Sequence, residues 1–441
     1  MKIQREKVES LIPVDGEEFD VIVAGGGPAG IGAALAAAME GSKTLLLEDK
    51  AFFGGVAAVS GWMPMNRLML EGHSRGDVCG RFVQKLKDLG PDAARKGKNS
   101  WVDGDGLHVH PDYLRAAVFE LMEDTGCKYL LHSPVTGVEM DKDRITGVVC
   151  DGKYGRRTYR GKVVIDATGD GDVSYYAGVP TQKGRESDGV FMPVTVGFVI
   201  ANVDETRLFE ALEGEKYGEV TDKIKAMREK GYATSMFYSF DRTTIPGVIS
   251  VNNGGQEDIG IIDASQVRDV NVSLRMGLQV AMDFVTIVRK LKIPGLENCA
   301  LVRTGADLGI RETRRIVGDY ILTLEDSQQG KEFDDIVARR YGTIDPGGLT
   351  EDKYYHGSIK NGHAYPYRCM LPKNAEGLLV AGRCASLTHL GLTVCKSMGN
   401  MMAIGSSAGT AASICAKENI TPRQIDIGKL QARLREMNVK L

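Results

Sequence analysis

No stretch of the 441 residues approaches the run of about 18 apolar residues that a membrane-crossing helix needs. The first eighteen residues, MKIQREKVESLIPVDGEE, lack the apolar core of a secretory signal, so a cytoplasmic location is expected. Cys-x-x-Cys is also missing. The eight cysteines (Cys79, Cys127, Cys150, Cys299, Cys369, Cys384, Cys395 and Cys415) are scattered, which disfavours zinc or iron–sulfur ligation. Reduced thiols and no bound metal are expected. Net charge is only −3, so there is no broad basic footprint for nucleic acid or an anionic membrane. Neither a solenoid repeat nor a low-complexity linker is visible. The remaining composition, 43% hydrophobic and 26% charged, is that of a globular chain long enough for two domains.

Glycine, by contrast, is plentiful, with 54 residues gathered at particular turns. Phe19–Ala24 is a short apolar run, read as a buried parallel strand. Pro28–Met39 is Ala-rich with proline in its first turn and reads as a helix. A second strand is expected at Lys43–Glu48, a helix at Pro111–Thr125 and a strand at Lys128–His132. Turns at Asp141–Asp143 and Asp151–Gly155 make the next segment a β-meander, running into an apolar strand at Lys162–Ala167. From Val179 the pattern changes to sheet-like segments. A long helix follows, Ser265–Lys292, whose apolar positions Val267, Val270, Leu274, Leu278, Ala281, Phe284, Val288 and Leu291 step by three and four and read as core. A small-residue helix is expected near Met398–Ala416.

The segment FDVIVAGGGPAGIGAALAAAMEGSKTLLLED, Phe19–Asp49, holds a strand, a glycine turn opening a helix, and an acid after the next strand. Gly25 permits the tight turn, Gly27 lets backbone approach a pyrophosphate, and Gly30 lets helix and strand pack closely. The helix start at Pro28 and Ala29 offers unpaired N–H groups and a partial positive charge. Glu48 follows Gly25 by 23 positions and is placed to accept adenosine ribose hydroxyls, with Asp49 as the alternative acid. An NAD site would be completed by a second βαβ half. Here a meander intervenes, and two more glycine sites appear, IDATGDGD at Ile165–Asp172 and GLLVAGR at Gly377–Arg383. That constellation points to FAD.

With FFGG at Phe52–Gly55, YPYRCMLP at Tyr365–Pro372 and GSSAGTAA at Gly405–Ala412, these motifs resemble bacterial FAD-dependent oxidoreductases of the glutathione-reductase-like fold. That group is distantly related to the fumarate reductase flavoprotein class. The resemblance covers nearly the whole chain. It implies an α/β fold: a Rossmann-like FAD-binding domain, residues 19–178 and 345–441, split by an α+β substrate or cap domain, residues 179–344. It implies Gly54 and Gly55 by the pyrophosphate and flavin, Val135 by the adenine, and Ala167, Thr168 and Gly169 along the dinucleotide. It further implies Gly382 and Arg383 by the pyrophosphate and ribityl chain. A helix starting at Met398, Gly399, Asn400 and Met401 would aim its N-terminus at the flavin pyrimidine ring. The chain departs from the group's pattern at Lys396, where the group has arginine, and at Gly405-Ser406, where it has Gly-Gln.

Flavin carries the redox step, so the protein must orient a substrate and move a proton. His389 in SLTHLGLTVCK is the first choice for acid–base work, with Lys396 a flavin or substrate contact. Arg311, in GIRETRR, is the candidate for anion recognition. For Arg311, Arg314 and Arg315 the structural alternative is a network neutralised by Glu312 and Asp319. His73, in a Gly-rich loop, is a further active-site candidate. His108 and His110 share a strand face but lack a third ligand. His356 and His363 flank a segment that would suit a lid. Cys395 reads as a small apolar residue.

The expected activity is hydride transfer between non-covalent FAD and a small organic molecule, at a C–H beside a hydroxyl or across a C–C bond. NAD(P)H, a quinone or a redox protein would exchange electrons with the flavin, and a homodimer is expected by analogy with the fold. The alternatives are an electron-transfer subunit working with an iron–sulfur partner, and a non-redox FAD-binding protein.

Overall fold

The computed structural model describes residues 5–70, 73–96, 106–255, 259–345 and 362–441. Its central sheet is built on strand Glu18–Ala24, which has Thr44–Leu47 and then Lys128–Leu130 in parallel on one side. On the other side lies Gly155–Asp166, also parallel to it. The first half of that long strand pairs antiparallel with Arg144–Gly152, which pairs with Val135–Asp141. This is the expected meander, with hairpins at the two expected turns. The last residues, Val164–Asp166, run parallel to Leu378–Val380. One strand therefore joins meander and parallel sheet, and chain from two distant parts of the sequence closes the layer.

The register of these strands matters for function. Ala24 is level with Asp166, and Asp166 is level with Val380. Three loops thus leave the sheet at one height, at the carboxyl ends of parallel strands, where open α/β sheets bind ligands.

Helix Pro28–Met39 packs on this sheet and against the 21-residue helix Met398–Glu418. Their backbones touch at glycines. A Cβ on Gly405 would lie 1.9 Å from the Ala29 carbonyl oxygen, one on Gly409 2.1 Å from that of Ala33, and one on Gly32 2.2 Å from that of Met402. The Ala/Gly/Ser bias of both helices is thereby explained: every larger side chain would force them apart. Both helices are buried nearly throughout.

A second, antiparallel sheet runs Tyr238–Arg242, Ile249–Asn253, Phe198–Ala201, Ala300–Thr304. Helix Val267–Lys290 covers it through Phe284, whose ring centroid lies 5.1 Å from those of Phe198 and Tyr238. The stripe read from sequence holds over Ala281, Phe284 and Val288, which are buried, but Val267 is 78% and Leu278 40% exposed. A pattern stepping by three and four drifts about 20° per heptad on a straight helix, so its two ends cannot both face one sheet. Several helices were not anticipated, among them the two that follow. Asp77–Asp88 is amphipathic through Val78, Phe82 and Leu86, and His389–Cys395 is capped by Thr388, which accepts from the Gly391 N–H at 3.0 Å. Among the described residues, no helix is long and apolar enough to cross a membrane.

Gly405→Ala is expected to cost about 1–3 kcal/mol of stability, the range for overpacking a filled contact. Chemical denaturation followed by far-UV circular dichroism measures it, and an unchanged midpoint would refute the backbone contact.

Candidate active site

The three aligned strand ends form a cradle. At the first, Gly25 has φ +101° and a Cβ there would lie 2.3 Å from the Ala167 carbonyl oxygen. A Cβ on Gly30 would lie 1.7 Å from the Gly25 carbonyl oxygen, so the helix start is drawn tight onto the strand. Gly27 is the N-cap, Pro28 opens the helix, and the first-turn N–H groups of a helix have no intrahelical partner. Gly54 donates its N–H to the Gly26 carbonyl at 2.8 Å, and both Gly54 and Gly55 have positive φ. Gly55 approaches Gly27 so closely that a Cβ would lie 3.0 Å from its Cα.

Glu48 stands immediately after its strand and is buried, accepting from the Gly26 N–H at 2.6 Å and the Lys50 N–H at 2.9 Å. Burial, helped by neighbouring Asp49, pushes its carboxyl pKa up to about 8. Asp49 instead points outward, paired with Lys50 at 3.2 Å. The Ser133 N–H donates to the Glu48 carbonyl at 2.8 Å, which sets Val135, at the start of its strand, beside the acid.

At the second strand end, Asp166 ties the loop together. It accepts from the Thr168 hydroxyl at 2.7 Å and from the Ser174 N–H and hydroxyl at 2.8 and 2.7 Å. At the third, Gly382 has φ +114°, and the Arg383 guanidinium lies over Gly169, 2.7 Å from where a Cβ would be. Arg383 donates to Asp170 at 2.6 Å, while its Nε is buried with no partner. Glycines at each close approach, a buried ribose-height carboxylate and an unpartnered guanidinium nitrogen fit an adenine dinucleotide such as FAD.

Helix Met398–Glu418 begins where expected, but its first residues have other duties. A Cβ on Gly399 would lie 2.1 Å from the Arg67 carbonyl carbon, and the Gly399 N–H donates to Asn66 at 2.9 Å. Asn400 is spent on structure: its Oδ1 accepts from Arg75 at 2.6 Å and the Tyr341 N–H at 3.0 Å, and its Nδ2 donates to Tyr341 at 2.8 Å. The Asn400 side chain thus anchors a neighbouring strand end, a demand invisible to a helix-dipole argument. Met398 and Met401 are buried in the main core.

His389 lies deeper than the candidates Arg311 and Lys396. It is fully buried, its Nδ1 lies 2.8 Å from Glu312 Oε2, and its N–H donates to Glu186 at 3.0 Å. Glu312, equally buried, also pairs with Arg315 and accepts from the Met192 N–H at 3.0 Å. The short helix His389–Cys395 turns the residue inward, into this network. The expected arginine network is therefore real for Arg315. Arg314 instead donates to Asp172 at 2.9 Å and stacks over Tyr175, and Asp319 pairs with Arg423.

Arg311 differs from its neighbours. It donates to the carbonyls of Pro193 at 2.6 Å and Asn253 at 3.3 Å, and the residue is partly buried. Lys396 pairs with Asp345. Burial lowers the Lys396 pKa; Asp345 opposes this and the nearby Arg311 charge adds to it. Burial likewise lowers Arg311, against Asp345. Two cations 85 positions apart in sequence are thus close enough to feel one carboxylate, and Lys396 stands directly before Ser397, the N-cap of the last helix. Asp345 was not picked out from sequence: its only signal was the Asp-Pro-Gly-Gly turn, which reads as a boundary.

The other histidines separate. His108 is buried, neither ring nitrogen has a partner, and burial drops its pKa to about 4. His110 caps helix Pro111–Thr125, accepting from the Asp112 N–H at 3.2 Å, so the two do not form a ligand pair. His363 is buried and drops to about 4 through burial and then Arg340. Backbone at His73 pairs with Leu70, while the His73 side chain and all of His356 lie outside the described residues. Cys395 is buried, and burial pushes its thiol up.

A family model described as FAD dependent oxidoreductase matches residues 20–434. Over 125 residues the chain is 30% identical to 4-oxocyclohex-2-ene-1-carboxylate 5-dehydrogenase of Sinomonas cyclohexanicum, covering 28% of this chain and 19% of that protein. Over 153 residues it is 30% identical to digeranylgeranylglycerophospholipid reductase 2 of Methanopyrus kandleri, covering 34% and 38%. The chain spans well under two thirds of the length of these relatives. A myxobacterial chondrochloren halogenase, described as an FAD-dependent variant, superposes with TM-score 0.50 at 14% identity, covering 96% of this chain and 79% of that one. This likeness speaks to fold: an FAD-binding Rossmann-like α/β sheet with additional antiparallel sheets.

Two tests follow from the geometry. An unfolded chain ionises a glutamate above the ordinary 4.5, whereas folded, cofactor-free protein holds the Glu48 proton to about 8. Folding stability from this group is therefore lost as pH rises through that window, and Glu48→Gln should flatten the trend in thermal melts between pH 5 and 8. His389→Ala should cost about 3 kcal/mol of stability by leaving Glu312 under-partnered, while leaving the flavin spectrum unchanged. Full stability with lost turnover would restore a catalytic role.

Proposed function

Because this chain belongs to the FAD dependent oxidoreductase family, we propose that it exchanges a hydride with a small carboxylate-bearing substrate, at a C–H beside a hydroxyl or across a C–C bond. The observation that carries this reading is the Lys396–Asp345 ion pair, set near enough to Arg311 for its charge to be felt by both. Two cations around one carboxylate leave local positive charge in a half-buried place, where an anion is favoured. The name of the Sinomonas relative puts a ring carboxylate on that protein, which agrees with an anion here.

Bound FAD, held without a covalent link, supplies a two-electron acceptor or donor. Glu48 accepts its ribose hydroxyls, and the N–H groups opening helix Pro28–Met39 meet its pyrophosphate. Met398 and the first turn of the last helix turn a positive dipole end toward the same side, worth on the order of 1 kcal/mol to nearby negative charge. Arg311 orients the substrate carboxylate. Lys396 Nζ, its pKa lowered by burial, takes up or releases a proton there. The motifs also support distant kinship with the fumarate reductase flavoprotein class.

A second reading has one observation in its favour. Ile261, Val267, Leu278 and Met282 are exposed, and the last three share a face of helix Val267–Lys290. Such a patch suits docking of a protein electron partner.

Anaerobic bleaching of the flavin by a panel of hydroxy acids and enoates, with NADH and NADPH as controls, tests the primary reading. Arg311→Ala and Lys396→Ala should keep the flavin spectrum and raise KM for the active carboxylate about tenfold to a hundredfold, the scale of one lost charge-assisted contact. Bleaching only by a reduced ferredoxin would transfer the weight to the second reading. Colour remaining with acid-precipitated protein would overturn the non-covalent link.

A further inference from the structure

Pro193 and Asn253, whose carbonyls Arg311 binds, both line a cavity of about 240 Å³. Most of its wall is apolar: Val194, Val196, Ile262, Val280 and Leu308. Three polar residues interrupt that wall, and two of them, Thr195 and Asn253, bond to each other at 2.5 Å. Ser273, on helix Val267–Lys290, is 3% exposed, and its hydroxyl has no hydrogen-bond partner. A helical serine ordinarily bonds back to a carbonyl one turn earlier, and a buried hydroxyl left unpaired is costly. One turn on, Gly277 brings the helix so close that a Cβ would lie 2.4 Å from Val196 Cγ2. The space beside Ser273 is thus bounded by a tight helix contact. An apolar cavity of about 150 Å³ accepts benzene, so this volume admits a six-membered ring with substituents.

We infer that this cavity receives the apolar body of the substrate, a compact carbocyclic carboxylate carrying one oxygen substituent. Its carboxylate meets Arg311, and its hydroxyl or carbonyl oxygen meets the Ser273 hydroxyl. The inference rests on the carboxylate reading above and deepens it: Arg311 reads the charge, while Ser273 and the cavity read the body.

Calorimetric titration of FAD-loaded protein with cyclohexanecarboxylate and 4-hydroxycyclohexanecarboxylate tests it, with flavin absorbance and melting temperature checking the fold of each variant. Both probes should bind, the hydroxylated one more tightly. Ser273→Ala should weaken the hydroxylated probe about tenfold, the effect of one hydrogen bond, and leave the other within about twofold. Ser273→Leu, which fills the cavity, should weaken both more than tenfold. Absence of binding by either probe, or wild-type affinities in both Ser273 variants, overturns the inference. If the Ser273 variants bind normally while Arg311→Ala does not, the carboxylate reading survives and the cavity assignment falls. If the Ser273 variants respond as stated while Arg311→Ala binds normally, the cavity assignment survives and the carboxylate reading falls.

Discussion

The Gly25 carbonyl oxygen occupies the place where residue 30 would carry a side chain. This contact pulls helix Pro28–Met39 down onto its strand, and much else depends on it. The same turn presses Gly25 against Ala167, which locks the first strand end to the second. The helix, once lowered, presents Ala29 and Ala33 to Gly405 and Gly409, and Gly32 to the backbone at Met402. Sheet, turn and C-terminal helix are thus held by backbone-to-backbone approach, where any methyl group is an obstruction. The resulting cradle has almost no side chain in it, which is what a pyrophosphate meeting bare N–H groups requires.

Charge is handled in two distinct ways around that cradle. In the sealed network, His389, Glu312 and Arg315 are buried and mutually satisfied, and Arg315 adds bonds to the carbonyls of Leu387 at 3.0 Å and Gly184 at 2.8 Å. Such a cluster holds the Glu186 and Met192 segments to the helix His389–Cys395. The Arg311, Lys396 and Asp345 group has the opposite character. Among the described residues it sets two cations, Arg311 and Lys396, near one exposed carboxylate, and Arg311 binds two carbonyls of the cavity wall.

Both groups include residues of one short segment, GIRETRR, spanning Gly309–Arg315. Arg311 and Arg315 are four apart, yet one is bonded to main-chain carbonyls at a cavity rim and the other is enclosed. Strict strand alternation would put positions four apart on one face, but the chain bends at Thr313, between the Gly309–Thr195 bridge and the short strand Arg314–Ile316, and the two arginines enter different surroundings.

The amino-acid sequence by itself determined the cradle. Gly25, Gly27, Gly30 and Glu48 form a local signature, because turn geometry and strand–helix packing act within some thirty residues. Helices Pro28–Met39 and Pro111–Thr125 fell at their expected bounds for the same reason. Residue types could not decide which polar side chains stay open. His389 and Lys396 lie seven positions apart, and both were equally eligible for chemistry. Only the tertiary structure set Glu312 against the first, and Arg311 with Asp345 beside the second. The availability of a polar group depends on partners brought from 77 and 51 positions away, and such long-range pairing leaves no trace in local sequence pattern.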